Sequence, residues 1–375
     1  MVPIVLNRLT ERRAVPRDVL RRLPRALILA SIVFALVWIL FWAPATTFGS
    51  AVSDPAQFFV TFLDALTLAG LYFVIASGFT LIFGLMRVVN MAYGSLFLLG
   101  AYFAFGAQQC FVGGTGASCT GGFISKGTGG LGLISSQVSL GNWVFPLLIA
   151  TGCVAIVGLL MQQIFLRWNQ GQELRQALIT IAISIIAADQ MLAHFGGIFE
   201  GVTWPKEIDP ASKAWSIGGV RYSWSYLFIL LVAVGIGVVL WLWLQKTRTG
   251  MVIRAGVDDR QMVSALGVNI QRVFAVVFLV GSGLAAVGGV MFSSYQSVGP
   301  GVDGNGLLNA LVVVIIGGMG SLGGAAVGAL LYGVMTSFPI AYLPSNYTPY
   351  AITFTFVLLA VVLALRPFGL FGRPT

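Results

Sequence analysis

Charge is what this chain has least of. Asp, Glu, Lys and Arg make up 9% of its 375 residues, against roughly 25% in a typical soluble domain. So little charge excludes a water-soluble globule of this length, whose surface must be covered with solvated groups. Histidine occurs once, at His194, which excludes a histidine-based metal cluster. No HExxH, GxSxG or GxxxxGK[ST] pattern is present, and without the last of these the chain has no usual P-loop with which to bind and hydrolyse a nucleotide. Cysteine occurs three times, at Cys110, Cys119 and Cys153, with neither a CxxC nor a metal-ligand spacing. Cys153 sits inside an apolar run; Cys110 and Cys119 share one loop and form a disulfide only if that loop faces an oxidising compartment. We therefore expect no metal and no cofactor bound by this chain. A membrane-embedded enzyme is disfavoured, because no pairing of nucleophile and base is visible.

Apolar residues and glycine fill the space that charge leaves. Of all residues 58% are hydrophobic and 47 are glycine, the composition of an all-α polytopic membrane protein, in which glycine lets helix backbones approach closely. Ten apolar segments follow one another, at about 26–43, 57–83, 88–106, 143–166, 175–196, 224–245, 273–294, 306–320, 322–342 and 350–366. Several are short or broken by glycine, so the expectation is about ten transmembrane helices, some short or broken. Residues 1–25 carry seven arginines ahead of the first apolar run, and Ala43-Pro44-Ala45 has the small-x-small form of a signal-peptide cleavage site. That run of about 18 residues is also long enough to remain as an uncleaved anchor, the reading we favour. The expected organisation is a basic segment 1–25, an extra anchor and loop 26–56, and a transmembrane domain 57–375 that contains a charged loop at 246–272.

The net charge of +9 raises the question of a nucleic-acid partner, and its placement answers it. If all ten segments cross, 17 Lys and Arg residues lie on the side of the two termini and the 246–272 loop. Four lie on the other side: Lys126, Lys206, Lys213 and Arg221. The positive-inside rule puts the first side in the cytoplasm and accounts for the charge without nucleic acid. On the opposite side, the Gly- and Ser-rich loop 108–142 shows no helical period. Its Gly127-Thr128-Gly129-Gly130-Leu131-Gly132 matches GxGxxG, but no strand precedes it, so it is not a dinucleotide fingerprint. A second loop, 197–222, and its flank carry Trp204, Trp215 and Trp224 among charged residues. These are either interfacial aromatics or a docking surface for an external partner.

Polar residues inside apolar segments need protein or a watery cavity to face. Between Arg175 and Gly196, the residues Gln176, Thr180, Ser184, Gln190 and His194 fall within a stripe of about 120° at 100° per residue. They either glue helices together or touch a solute. Asp189 and His194 invite a proton-relay reading, and hence a proton-coupled secondary transporter, but lie about 140° apart around the helix. Asp64 poses the same question. Glycines cluster at Gly281, Gly283, Gly288 and Gly289 and again across 317–324, where Gly320, Gly324 and Gly328 repeat every four residues, a pattern for close helix contact.

The stretch from Gln245 to Met291 is the one long charged insertion between apolar segments. Its middle carries a helix signal, with Asp258 as N-cap, Gln261 three residues on, and Gly267 as stop. Met262, Ala265 and Leu266 give this helix of about two turns one small apolar face. Two further motifs stand beside it. One is Leu81 to Tyr102, LIFGLMRVVNMAYGSLFLLGAY, with Asn90, Ala92, Gly94, Gly100, Ala101 and Tyr102; the other is Asn309 to Gly333, with its VVVIIGGMGSLGGA core.

Together these three stretches resemble the ten-helix permease subunits of ABC importers of the branched-chain amino-acid type, which are related to ribose-type permeases. The resemblance runs from about residue 57 to 370. It implies an ABC importer permease fold in which Asp258, Asp259, Arg260, Met262, Ala265, Leu266 and Gly267 form a coupling helix seated in a separate ATPase subunit. It further implies two ATPase subunits that hold ATP and Mg, a second and homologous permease chain, an external solute-binding protein, and residence in a bacterial cytoplasmic (inner) membrane. Departures occur where Gln261, Met262 and Val263 replace the acid and both alanines of E-A-A-x-x-x-G, and where Met91 and Tyr93 stand for the Phe and His of many members. With the stripe above, the candidate substrate-pathway residues are Asn90, Tyr93, Thr180, Ser184, Gln190 and Asn309. Branched-chain or other amino acids lead as solute, followed by urea, short amides and aromatic acids.

Overall fold

The computed structural model describes residues 55–86, 89–112, 138–169, 171–209, 214–217, 219–258, 260–343 and 346–372. The basic segment, the anchor, the GxGxxG match and the Cys110–Cys119 pairing lie outside the described residues. Within them the chain forms α1 (Pro55–Met86), α2 (Tyr93–Val112), α3 (Leu140–Met161), α4 (Glu173–Phe195), α5 (Trp224–Lys246), α6 (Arg248–Asp258) and α7 (Arg260–Ala265). There follow α8 (Ile270–Tyr295), α9 (Val302–Gly317), α10 (Leu322–Tyr342) and α11 (Ala351–Leu365). Strands β1 (Ala214–Ile217) and β2 (Val220–Ser223) make an antiparallel hairpin before α5.

Each of the nine apolar segments from residue 57 onward is a helix. Seven of these helices are long and apolar enough to cross a membrane. The 16 residues of α9 reach about 24 Å at 1.5 Å each, short of the roughly 30 Å hydrocarbon core. Gln108 and Gln109 dilute the end of α2, and Gln108 is spent on pairing with a loop: its Nε2 donates to Thr203 O at 2.9 Å and its Oε1 accepts from Thr203 N at 2.8 Å.

Helices α1, α2 and α8 form the centre, apolar on every side and almost wholly buried, as a helix surrounded by other helices must be. Leu71, Val74, Ile75, Phe79 and Leu85 of α1 pack with Tyr93, Phe97, Phe274 and Phe278. Around them α4, α5 and α11 expose most of their apolar surface, including Ile185, Ile186, Leu231, Val239 and Ile352, which suits contact with lipid. The centre is held close by small residues. A Cβ placed on Gly100 of α2 would lie 2.5 Å from the Ala286 Cα of α8, so the two backbones nearly touch.

One end of the bundle is closed by the glycine break at 317–324. Gly318 and Gly320 adopt φ of 105° and 83°, a left-handed turn open only to glycine at little cost. Ser321 then caps α10 by accepting from Gly324 N at 3.0 Å. The chain's last described residues return to this point: Leu370 N donates to Ile316 O at 3.0 Å and Phe371 N to Gly317 O at 2.9 Å, which satisfies carbonyls at the end of α9. At the opposite end Trp143 stacks on Trp204 at 6.0 Å, meets Phe228 edge-on at 5.5 Å, and donates from Nε1 to Ser294 Oγ at 3.3 Å. Trp204 is thus a clamp between loop and helices, whereas Trp215 and Trp224 are exposed. A backbone bridge between Glu200 and Val298 ties the same loop down, and partial burial there pushes the Glu200 carboxyl up.

The charged insertion differs from its expected form. Asp258 ends a helix of 11 residues, α6, rather than starting one, and α7 is only six residues long. Helix α6 carries two glycines, Gly250 and Gly256. Both are buried close-approach points, against Leu244 and the Leu85 side chain respectively.

Candidate coupling tip and polar membrane face

The insertion is built as a bracket with a small tip. Thr247 Oγ1 donates to Trp243 O at 2.6 Å and accepts from Gly250 N at 3.0 Å, so a single hydroxyl stitches α5 to α6. Arg254 Nη1 reinforces the corner by donating to Gln245 Oε1 at 2.6 Å. Along α6, Ile253 is buried and Gly256 lies over Leu85 at the end of α1. Val257 reaches the place where Gly84 of α1 meets Gly320 of the glycine break. The bracket therefore rests on the end of α1 and on the glycine break before α10.

At the tip, Val263 is 5% exposed and seats α7, while Met262 and Leu266 are 64% and 75% exposed. Ala265 is exposed beside them. Gly267 stops the turn at φ 80°, with its N–H bonded to Ser264 O at 3.0 Å, as its sequence position predicts. Asn269 starts α8 by accepting from Gln271 N and Arg272 N at 3.1 and 3.3 Å. Residue Asp259 lies outside the described residues, and Asp258 and Arg260 are placed by backbone only, at the end of α6 and the start of α7. Six sequence-predicted residues thus share one protruding corner whose apolar side chains face outward.

The polar stripe of α4 behaves as two halves. Gln176 is buried and donates to Asn169 O at 2.9 Å. Thr180 is buried and its Oγ1 accepts from Met91 N at 3.2 Å while donating to Ala177 O at 2.9 Å. Ser184 Oγ shares a 2.9 Å hydrogen bond with Ser95 Oγ of α2, a partner the sequence did not reveal. Thr180 and Ser184 fix α4 to the start of α2 as interhelical glue, while Gln176 ties the beginning of α4 to the turn that precedes it. Gln190 is exposed and its carbonyl bonds to His194 Nδ1 at 2.8 Å, which gives the histidine a structural partner on its own helix.

The remaining pathway candidates are dispersed. Asn90 Oδ1 accepts from Ala92 N at 3.1 Å and opens α2; its Nδ2 is buried with no acceptor. It stands two residues from Ala92 and beside Met91, so Asn90, Thr180 and Ser184 belong to one neighbourhood. Tyr93 is fully buried and donates to Ile75 O at 2.7 Å, an anchor between α2 and α1 rather than a pathway surface in this conformation. Asn309 of α9 donates from Nδ2 to Tyr72 Oη at 2.9 Å, and Tyr72 in turn packs edge-on against Tyr332 at 4.7 Å. Among the described residues no group of three or more His, Cys, Asp or Glu side chains stands ready to hold a metal.

A helical bundle with glycine-packed central helices and seven helices long and apolar enough to cross a membrane is that of a multi-pass, all-α membrane protein. The family model described as the permease component of branched-chain amino acid transport systems matches residues 61–365, and the chain belongs to that family. The chain is 25% identical over 323 residues to the high-affinity branched-chain amino acid transport system permease protein LivH of Salmonella typhimurium, covering 83% of this chain and 94% of LivH. It is 25% identical over 320 residues to the corresponding protein BraD of Pseudomonas aeruginosa, covering 83% and 95%. Against a probable branched-chain amino acid transport permease protein LivH of Methanocaldococcus jannaschii it is 22% identical over 131 residues, 34% of this chain and 42% of that one. No solved structure matches the chain significantly.

Proposed function

We propose that this chain is the transmembrane subunit of an ATP-binding cassette importer that moves a branched-chain or other amino acid into the cytoplasm of a bacterium. It works beside a second, homologous permease chain, two ATPase subunits that hold ATP and Mg, and an external solute-binding protein, and it lies in the inner membrane among lipid. The 17-to-4 distribution of Lys and Arg supports an orientation with both termini and the bracket in the cytoplasm. The observation that carries the reading is the tip of α7, where Leu266 is held out at 75% exposure on a bracket anchored to the core. An exposed leucine on a protruding basic corner is matched to an apolar cleft in a partner. ATP binding in that partner displaces the tip, α6 transmits the movement to the ends of α1 and α10, and the bundle exchanges outward for inward access.

The test is Leu266→Asp in the full transporter. Solute-stimulated ATPase activity is expected to fall to the basal level while the bundle stays folded, because the substituted side chain is 75% exposed. Unchanged stimulation would refute the coupling role.

A further inference from the structure

Outside the bracket and the α2–α4 glue lies a cleft that neither uses. It occupies about 260 Å³ and is lined by Leu98 and Tyr102 of α2, by Ala188, Asp189, Met191 and Leu192 of α4, and by Pro300, Gly301 and Asp303 around the start of α9. That is just under the roughly 300 Å³ at which small-molecule sites begin. Its walls divide by chemistry. Leu98, Ala188, Met191 and Leu192 are apolar; Asp189 and Asp303 bring two carboxylates with no ion pair among the described residues.

Two donors point to a further need. Tyr102 is 1% exposed, and its hydroxyl is buried with no hydrogen-bond partner. The ring is locked by parallel stacking on Phe195 at 4.3 Å, and Asp303 lines the same cleft. A buried hydroxyl left unpaired is unfavourable, and an incoming ligand that accepts from it removes that cost. Beside it α9 begins at Gly301 with no side-chain cap; Val302 N is bonded to Gly299 O at 3.2 Å, which leaves the N–H groups of Asp303 and Gly304 at a positive helix end for an anion.

We propose that this cleft is a transit site for a zwitterionic amino acid with an apolar side chain. Its ammonium is held by Asp189 and Asp303, its carboxylate by the Tyr102 hydroxyl and the α9 N-terminus, and its side chain by Leu98, Met191 and Leu192. The inference rests on the importer reading and adds the place and chemistry of recognition inside the membrane subunit. Neutral solutes such as urea lack both charges that the walls answer.

The experiment uses the complete transporter in proteoliposomes, with Cys110, Cys119 and Cys153 changed to serine and Leu192→Cys as the sole thiol. A cationic methanethiosulfonate reagent is expected to label that thiol about 10-fold or more faster than an anionic one. L-leucine is expected to slow labelling, whereas 4-methylpentanoate and 3-methylbutylamine, each missing one charge, do not at the same concentration. Asp189→Asn and Asp303→Asn should each reduce the charge preference. Tyr102→Phe, which keeps the stacked ring and therefore the fold, should leave that preference intact but weaken protection by leucine and raise its half-saturation for uptake. Equal labelling by both reagents, no protection by leucine, or protection by the amine as strong as by leucine overturns the proposal. Labelling does not require turnover, so it decides the cleft separately. A transporter that takes up neither leucine nor any other amino acid overturns the importer reading, while one that transports leucine with an unprotected thiol overturns only the cleft.

Discussion

Replacing Gly100 with alanine should loosen the centre of the bundle. A Cβ at Gly100 would sit 2.5 Å from the Ala286 Cα, 2.8 Å from its Cβ and 3.0 Å from its carbonyl oxygen, whereas ordinary contact begins at 3.4 Å. Two of these atoms are backbone, which cannot rotate away, so α2 and α8 must part by about 0.9 Å along the line of closest approach. Forcing extra volume into a packed core costs about 1–3 kcal/mol. Gly283 on the same α8 supplies the control. Its Cβ would meet Thr151 Cγ2 at 3.5 Å and Ala155 Cβ at 3.8 Å, so Gly283→Ala is sterically neutral and removes up to about 1 kcal/mol of backbone freedom from the unfolded chain. The two variants should differ by about 1–4 kcal/mol in this order. The assay is the midpoint of heat-induced loss of the monodisperse peak in fluorescence-detected size-exclusion chromatography, a rank order of kinetic stability. A Gly100→Ala midpoint equal to or above that of Gly283→Ala would show that the crossing is not held by small-residue contact.

Three further outcomes are expected. In a double-mutant cycle, Ser95→Ala and Ser184→Ala should couple by about 0.6 kcal/mol and no more than about 1.7; strictly additive effects would mean the 2.9 Å bond carries no net weight. Val263→Asp should lower the thermal midpoint by placing a charge at a buried seat, while Leu266→Asp leaves it unchanged, so equal midpoints would contradict the assigned directions of α7. Trp204→Ala should raise proteolysis of the 197–222 loop by removing the Trp143 stack, whereas Trp215→Ala, at an exposed position, should not; similar digestion of both would remove the clamp role.

Much of the bundle was legible because lipid imposes a simple rule: a crossing chain must satisfy its own backbone, so an apolar segment of sufficient length is a helix. Nine segments obeyed it. The inward turn of Gln176, Thr180 and Ser184 was legible for the same reason, since polar groups in lipid have few places to go. What the sequence could not supply was the identity of distant partners. Asn309 and Tyr72 are 237 residues apart, and nothing local announces that Ser95 waits for Ser184. Gln190 lies on the same stripe yet faces out, because at that end of α4 the face turned inward is that of Met191 and Phe195, the latter stacked on Tyr102 of α2. Tyr93 was chosen for its position in a motif, and its burial against Ile75 is a fact of packing that a motif does not contain. The cleft was missed because Asp189 falls off the stripe, and its companions Tyr102 and Asp303 come from helices joined only by the fold.

The most central helix is also among the first to be made, and this has a consequence for biogenesis. Helix α1 ends at Met86, and its neighbour α8 begins only at Ile270. At about 5–20 residues per second, ribosomal synthesis of the intervening chain takes on the order of 10–40 s. Throughout that interval α1 lacks the α8 surface, at Gly281 and Leu284, on which Gly78 packs. Truncated chains that stop before α8 should therefore be held by the insertion machinery and cleared by membrane proteases more than chains that extend past α8.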